Sequence, residues 1–230
     1  MESPQARHST AIHLMERFTD RADAGRRLAA RLIDIDAPDP VVLGLPRGGV
    51  PVAAPVAVAL GAPLDVLVVR KLGVPGQPEL AMGAIGEQGA RVLNDDIVSH
   101  VRLRSGELAA IERRERDELE ARVIRFRGEA GPVDLAGRTA VIVDDGIATG
   151  ATMRVACLVA HARRARRIVV ATPVGAPDSI GEIASMPEVD EVICLSAPPG
   201  FMAVGMHYLD FAQTPDSQVA ALLAAARSAG

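Results

Sequence analysis

Aromatic residues are scarce in this sequence of 230 residues, which has no tryptophan, one tyrosine and four phenylalanines. Proteins that hold single-stranded nucleic acid commonly stack its bases on aromatic side chains. The formal net charge is −4, so the chain also lacks the excess positive charge that attracts a phosphate backbone. Four arginines within 163–167 form a basic cluster, but cations near a helix C-terminus are stabilising in any protein. A nucleic-acid partner is therefore not expected.

Cysteine is also rare, and long uninterrupted apolar runs are missing. Cys157 and Cys194 are far apart and lack metal-ligand spacing, which is typical of core residues in a reducing compartment. The longest apolar stretch, 50–69, is interrupted by prolines, a glycine and an aspartate, so it does not suit a membrane span. The N-terminus has no apolar segment of the kind found in signal peptides. These absences predict a soluble, cytoplasmic protein without membrane contact.

Three catalytic or nucleotide-binding motifs are absent. No GxGxxG follows a predicted strand and no GxxxxGK[ST] occurs, which argues against dinucleotide-binding and P-loop folds. No GxSxG occurs either, which argues against a serine hydrolase of the α/β-hydrolase type.

The apolar content of 49% is sufficient for one substantial domain. We predict a disordered tail over residues 1–14 and a single domain over 15–230. Short apolar runs separated by helical patterns predict strands at 41–45, 64–69, 140–143, 168–172 and 191–195. This alternation predicts an α/β fold with a doubly wound parallel sheet of about five strands. A long amphipathic helix is predicted over 99–127; it is compatible with a homodimer but does not require one.

The most informative stretch is 139–152, which is TAVIVDDGIATGAT. A buried strand is predicted to end at two carboxylates, Asp144 and Asp145, followed by a loop of small residues and then a helix. Backbone N–H groups at a helix N-terminus bind phosphate, and Thr149 and Thr152 add hydroxyl donors. Carboxylates accept hydrogen bonds from sugar hydroxyls and hold Mg²⁺, usually with water. A phosphorylated sugar with free hydroxyls therefore suits both halves of the stretch.

This stretch resembles the signature of the type I phosphoribosyltransferases, which marks their site for 5-phosphoribosyl-1-pyrophosphate (PRPP). The resemblance implies a Mg²⁺-dependent transfer of the phosphoribosyl group from PRPP to a nitrogen acceptor such as a nucleobase, with release of pyrophosphate. It implies that Asp144 and Asp145 are catalytic residues that bind the ribose hydroxyls and Mg²⁺, the metal through water. The PRPP-binding residues implied are Asp144, Asp145, Gly146, Ile147, Ala148, Thr149, Gly150, Ala151 and Thr152.

Two more segments resemble the pyrophosphate-binding parts of the same family. The first is LPRGGVP, which implies Arg47, Gly48 and Gly49. The second is the end of the strand predicted over 64–69, where Arg70 and Lys71 are followed by a long loop and a short hairpin. Lys71 is the only lysine of the chain, and we expect it to be catalytic. Glu79, in the predicted mobile loop, is expected to reach the reaction centre, with a solvent-facing carboxylate as the alternative.

The acceptor is the least determined part of the prediction. The family builds a variable hood over the acceptor, and we assign 196–213 to it, with Phe201 and Tyr208 as acceptor-binding candidates. Both aromatics could instead belong to the core. Members that use 6-oxopurines usually carry an aspartate where this chain has Ala148, which argues against hypoxanthine and guanine. The alternative function is a non-catalytic regulatory protein that binds PRPP.

Overall fold

The computed structural model describes residues 17–101, 104 and 106–229, with the backbone alone for 78–80, 95, 96 and 229. The predicted tail, 1–14, lies outside the described residues. The strands are β1 (Pro40–Gly44), β2 (Leu64–Val66), β3 (Val69–Val74), β4 (Gln77–Gly86), β5 (Arg91–Leu93), β6 (Thr139–Val143), β7 (Arg167–Val174) and β8 (Glu191–Ser196). The helices are α1 (Arg21–Leu32), α2 (Gly49–Leu60), α3 (Asp95–His100), α4 (Glu107–Arg127), α5 (Ala151–Ala162), α6 (Pro177–Ala184) and α7 (Asp216–Ala229), with a short 3₁₀ helix at Val204–His207.

The predicted parallel sheet of about five strands is confirmed, and its five strands lie in the order β2-β1-β6-β7-β8. The register pairs Gly44 with Val143 and Val143 with Ala171, so β1 and β6 end side by side. The loops that follow these strands therefore meet at one edge of the sheet. From β1 the chain adds β2 on one side of the sheet, and later β6, β7 and β8 on the other side. Ligands of open α/β sheets bind at such a switch point, here between β1 and β6.

Helices cover both faces of this sheet. Alternate residues of β6 belong to different hydrophobic clusters: Val141 shares one with residues of α1, α2 and α7, whereas Ile142 shares the other with residues of α5 and α6. All five residues of β6 are buried, which explains why the strand is apolar from Ala140 to Val143. Within the described part of the chain, no helix combines the length and apolar character needed to cross a membrane.

The predictions for the second strand and for the loop after it were partly wrong. β2 ends at Val66, and Val69 begins a separate antiparallel sheet of β3, β4 and β5. Arg70 and Lys71 therefore lie inside a hairpin strand and not at the end of a core strand. The expected long loop is a turn at Pro75 and Gly76, where Gly76 has a φ of 78°. Proline followed by a glycine with positive φ favours such a tight turn.

Two helix boundaries also differ from the prediction. The helix predicted over 99–127 begins at Glu107, because Gly106 has a φ of 82° and separates it from α3. The helical spacing of 152–167 predicts a helix over that range, whereas α5 ends at Ala162. Arg163 is buried, and its side chain donates to Gln88 and to the carbonyl of Val133. The arginines of 163–167 consequently do not form one exposed cationic face.

Candidate active site

The loop after β6 is fixed to the neighbouring strand and helix. Ile147 donates its N–H to the carbonyl of Val174 at 2.9 Å and forms a bridge with Gly175. Ser179 of α6 donates its hydroxyl to the carbonyl of Ala148 at 2.7 Å. Gly150 has a φ of 70°, a left-handed conformation that glycine adopts readily, and it sets the direction in which α5 begins. The loop is therefore held on both sides.

The beginning of α5 has the features of an anion site. The helix starts at Ala151 and contains 12 residues, so its first N–H groups and its dipole favour negative charge there. Thr149 and Thr152 flank the start of the helix, and both are exposed. Their hydroxyls can reach an anion that approaches from solvent. This arrangement can bind a phosphate group.

Asp144 and Asp145 lie together at the end of β6 and before this loop. The N–H of Asp145 donates to Oδ1 of Asp144 at 2.9 Å. Burial raises the pKa of Asp144 well above its ordinary value, and repulsion from Asp145 raises it further. Burial also raises the pKa of Asp145, although a hydrogen bond from Arg21 opposes the shift. When both aspartates are ionised, Arg21 therefore offsets only part of their negative charge.

The chemistry of this pair suits a hard cation. Carboxylate oxygens are ligands that Mg²⁺ prefers, and a cation would relieve the repulsion between Asp144 and Asp145. Among the described side chains, no group of three or more His, Cys, Asp or Glu residues converges to form a metal cage. A Mg²⁺ ion at this pair would therefore take its other ligands from water and from the substrate.

The loop after β1 lies against the acidic pair. A Cβ built on Gly48 would come within 1.9 Å of Oδ2 of Asp145, and one on Gly49 within 2.5 Å of the carbonyl oxygen of Val143. Only glycine permits these two close approaches. Arg47 is half-exposed beside them, and its guanidinium lies 3.6 Å from Oδ1 of Asp216 in α7. The structure thus brings the two predicted phosphate-binding loops together.

The predicted pyrophosphate-binding residues of the hairpin, Arg70 and Lys71, lie beside α4. Arg70 forms an ion pair with Glu115 of α4, with an N···O distance of 2.6 Å. Lys71 lines a cleft of about 530 Å³ between the hairpin turn and α4, together with Glu115 and Arg114. Neither contact involves the acidic pair. The side chain of Glu79 lies outside the described residues, so its predicted role stays a prediction.

The two acceptor-binding candidates differ in their surroundings. Tyr208 is 3% exposed and packs against Phe18 and Phe211, with ring centroids 5.4 and 4.9 Å away. Its hydroxyl donates to the carbonyl oxygen of Asp145 at 2.5 Å. The buried ring favours the alternative of a core residue, and the acceptor-binding role of Tyr208 stays a prediction. Phe201 is half-buried and is stacked on His207 at 5.5 Å.

Arg21, which contacts the acidic pair, was not among the predicted site residues. Its Nε donates to Oδ2 of Asp145 at 2.7 Å, across 124 positions of sequence. It lies on the same helix as Arg26 and Arg27, and nothing in the local pattern distinguishes the three arginines. Only the packing of α1 onto the sheet brings Arg21 to the site.

Comparisons with other proteins identify the family of this chain. The family model for the phosphoribosyl transferase domain matches residues 15–197. Proteins of two Mycobacterium tuberculosis strains, both named "putative phosphoribosyl transferase", are 56% identical over 209 residues, covering 91% of this chain and 47% of theirs. The chain therefore spans about half the length of these curated relatives. A crystal structure from Thermus thermophilus shares 44% identity and a TM-score of 0.81, covering 90% of this chain and 97% of that one.

Proposed function

Since this chain belongs to the phosphoribosyl transferase family, we propose that it transfers the 5-phosphoribosyl group from PRPP to a nitrogen acceptor of the nucleobase type. The bond between C1 of the ribose and the pyrophosphate oxygen breaks, a bond from C1 to the acceptor nitrogen forms, and the pyrophosphate leaves with the bonding electrons. The acceptor nitrogen loses its proton. The observation that supports this proposal is the acidic pair, placed between the helix N-terminus of α5 and the glycine loop of β1.

Each part of the site has a role in the proposed reaction. The loop 149–152 holds the 5′-phosphate at the start of α5, where backbone N–H groups and two hydroxyls can donate. Asp144 and Asp145 accept hydrogen bonds from the ribose hydroxyls. Their negative charge also stabilises the positive charge that develops on the sugar when the leaving group departs, as in glycoside hydrolysis.

The glycine loop of β1 takes the pyrophosphate side of the substrate. Gly48 and Gly49 allow the backbone to approach closely, and Arg47 supplies positive charge. Asp144 and Asp145 are the residues that would hold a Mg²⁺ ion, which would add positive charge on the pyrophosphate side. Arg70 and Lys71 stay candidates on the hairpin for the same role.

The acceptor is proposed to differ from a 6-oxopurine. Ala148 is exposed in the loop after the acidic pair and has no group that could assist proton transfer. This supports an acceptor such as adenine or orotate over hypoxanthine or guanine. Half-buried Phe201 stays a candidate for stacking on the acceptor ring.

The first experiment is calorimetric titration with PRPP and Mg²⁺, followed by an assay of pyrophosphate release with adenine, orotate, hypoxanthine and guanine. We expect Asp144→Asn with Asp145→Asn to lower turnover by about three orders of magnitude, because charge stabilisation in the transition state is lost. The matched control is Asp34→Asn with Asp36→Asn, which removes two exposed carboxylates from the connection before β1. That control should keep wild-type turnover.

The outcomes separate the proposal from its alternative. Near-normal turnover in the Asp144→Asn, Asp145→Asn variant would contradict the enzyme proposal. PRPP binding without pyrophosphate release for any acceptor would favour the non-catalytic regulatory protein. Salt-sensitive DNA binding would favour it further, although Arg163 is buried and Arg167 is paired with Glu191.

A further inference from the structure

Arg21 joins three parts of the molecule beside the acidic pair. Its Nε donates to Oδ2 of Asp145 at 2.7 Å, and one of its terminal nitrogens donates to the carbonyl of Ala212 at 2.7 Å. The guanidinium also lies over the ring of Phe211, 4.0 Å from the centroid. Its side chain is only 12% exposed. A planar guanidinium that makes these contacts at once has little freedom to move.

Asp145 is held from its backbone as well as its side chain. Tyr208 donates its hydroxyl to the carbonyl oxygen of Asp145, and the ring of Tyr208 packs against Phe18 and Phe211. Burial raises the pKa of Tyr208, so the hydroxyl keeps its proton and stays a donor. Gly48 closes another side of the carboxylate. The position of Asp145 is therefore set by α1, by the segment 196–213 and by the glycine loop together.

The orientation of this carboxylate matters because Asp144 and Asp145 repel each other. Arg21 opposes that repulsion directly, because it donates a charged hydrogen bond to the Asp145 carboxylate. Misplacement of a substrate-positioning group by about 1 Å can cost about a hundredfold in rate. A charged group that fixes Asp145 therefore affects every ligand that Asp145 binds.

Resting on the proposed function, we propose that Arg21 is a positioning residue for the ribose side of the PRPP site, acting through the Asp145 carboxylate. Arg21 aligns Asp145 for the ribose hydroxyls and ties it to the segment that carries Ala212 and Phe211. The N-terminal helix is then part of the binding site, although it lies far from the PRPP-binding loop in sequence.

The test is a double-mutant cycle on PRPP affinity, measured by calorimetry on variants shown to be folded by circular dichroism. The variants are Arg21→Ala, Asp145→Asn and the two combined. Arg21→Ala should weaken PRPP binding by about tenfold to a hundredfold, the range for loss of a charged hydrogen bond. If Arg21 acts through Asp145, the double variant should bind no worse than Asp145→Asn alone.

Two further variants distinguish positioning from general destabilisation. Arg21→Lys keeps the charge beside Asp145 and should recover part of the lost affinity, although one ammonium cannot reproduce the fork of contacts. Arg26→Ala removes an arginine of the same helix that is 64% exposed and pairs with Asp23. That control should bind PRPP like the wild type.

Each outcome decides the inference. Unchanged PRPP affinity in Arg21→Ala, or losses that add in the double variant, would overturn it while the proposed function stands. Failure of the wild type itself to bind PRPP with Mg²⁺ would overturn the proposed function, and the inference with it. Coupled losses together with partial recovery in Arg21→Lys would establish the positioning role.

Discussion

Two clusters of arginine and carboxylate in this molecule differ in their balance of charge. The inner cluster sets Arg127 between Asp65 and Glu87. Arg163 adds a second positive charge nearby; burial lowers its pKa, although attraction to Glu87 and Asp65 opposes that shift. The cluster at the site sets Arg21 against Asp144 and Asp145. In the inner cluster burial opposes the charge of Arg127, but Glu87 and Asp65 more than compensate and raise its pKa. At the site, the pKa of both aspartates is raised.

This difference separates a structural charge cluster from the proposed binding site. The inner cluster joins α4, β2 and the turn between β4 and β5, and its hydrogen bonds satisfy the buried carboxylates. The acidic pair keeps unbalanced negative charge at the carboxyl edge of the sheet, where a ligand can approach. A protein maintains such an imbalance at a cost in stability, and functional sites are where that cost is commonly found.

The largest effect is expected from breaking the balanced cluster. Arg127→Met leaves Asp65 and Glu87 buried without their main partner, and the free energy of unfolding should fall by about 3–5 kcal/mol. Chemical denaturation with urea measures this loss. Arg122→Met on the exposed side of the same helix is the control and should change stability by less than about 0.5 kcal/mol. A loss below about 1 kcal/mol for Arg127→Met would mean that the cluster is not a structural element.

Replacing an aspartate by asparagine should change the free energy of unfolding in opposite directions in the two clusters. Asp144→Asn removes a carboxylate whose ionisation the folded protein disfavours, so at pH 7 without ligand it should raise the free energy of unfolding by about 1 kcal/mol. Asp65→Asn weakens the pairing of buried Arg127 and should lower it by about 1.5–3 kcal/mol. Thermal unfolding of both variants tests the comparison.

The expected gain in stability from Asp144→Asn follows from the raised pKa of Asp144. The folded state releases this proton less readily than the unfolded state does, so the ionised carboxylate destabilises the fold above the ordinary value of 3.8. The gain from Asp144→Asn should therefore be greatest near neutral pH and disappear below about pH 3.8. Destabilisation by Asp144→Asn at pH 7 would contradict the view that this pair is unbalanced.

The features predicted correctly from the sequence are those with local causes. The strand β6 is apolar from Ala140 to Val143, and the carboxylates and glycines that follow it mark the loop and the start of α5. Thr19 and Asp20 are both residues that favour a helix N-cap, and Asp20 is the one that accepts a hydrogen bond from the N–H of Asp23. The parallel sheet followed from the alternation of strands and helices, because parallel strands need long connections.

The errors and omissions have non-local causes. The departure of the chain after Val66 places Arg70 on the hairpin, beside a helix that begins only at Glu107. The contact between Arg21 and Asp145 spans 124 positions. The buried ring of Tyr208 depends on Phe18 and Phe211, which come from opposite ends of the chain. Patterns of spacing carry no information about such contacts, which are set by how the elements pack.

A third charge cluster lies beside the hairpin, and the smallest effect on stability is expected there. Arg70 and Arg114 both donate to Glu115, and burial of this carboxylate is outweighed by those hydrogen bonds, which lower its pKa below the ordinary 4.5. Arg114 is 73% exposed, so solvent screens much of the interaction. Glu115→Gln should therefore lower the free energy of unfolding by less than about 1 kcal/mol at pH 7.

The pH dependence of this small effect identifies its origin. A carboxylate with a lowered pKa stabilises the fold above its unfolded pKa, and that contribution is lost as the pH falls through the folded value. The difference between wild type and Glu115→Gln should thus be constant from pH 7 to about pH 5 and shrink below pH 4.5. Urea unfolding across this range measures it, with exposed Glu118→Gln of the same helix as the control. A difference that persists unchanged at pH 3 would assign the effect of Glu115 to packing, because an ionic contribution must shrink below the unfolded pKa.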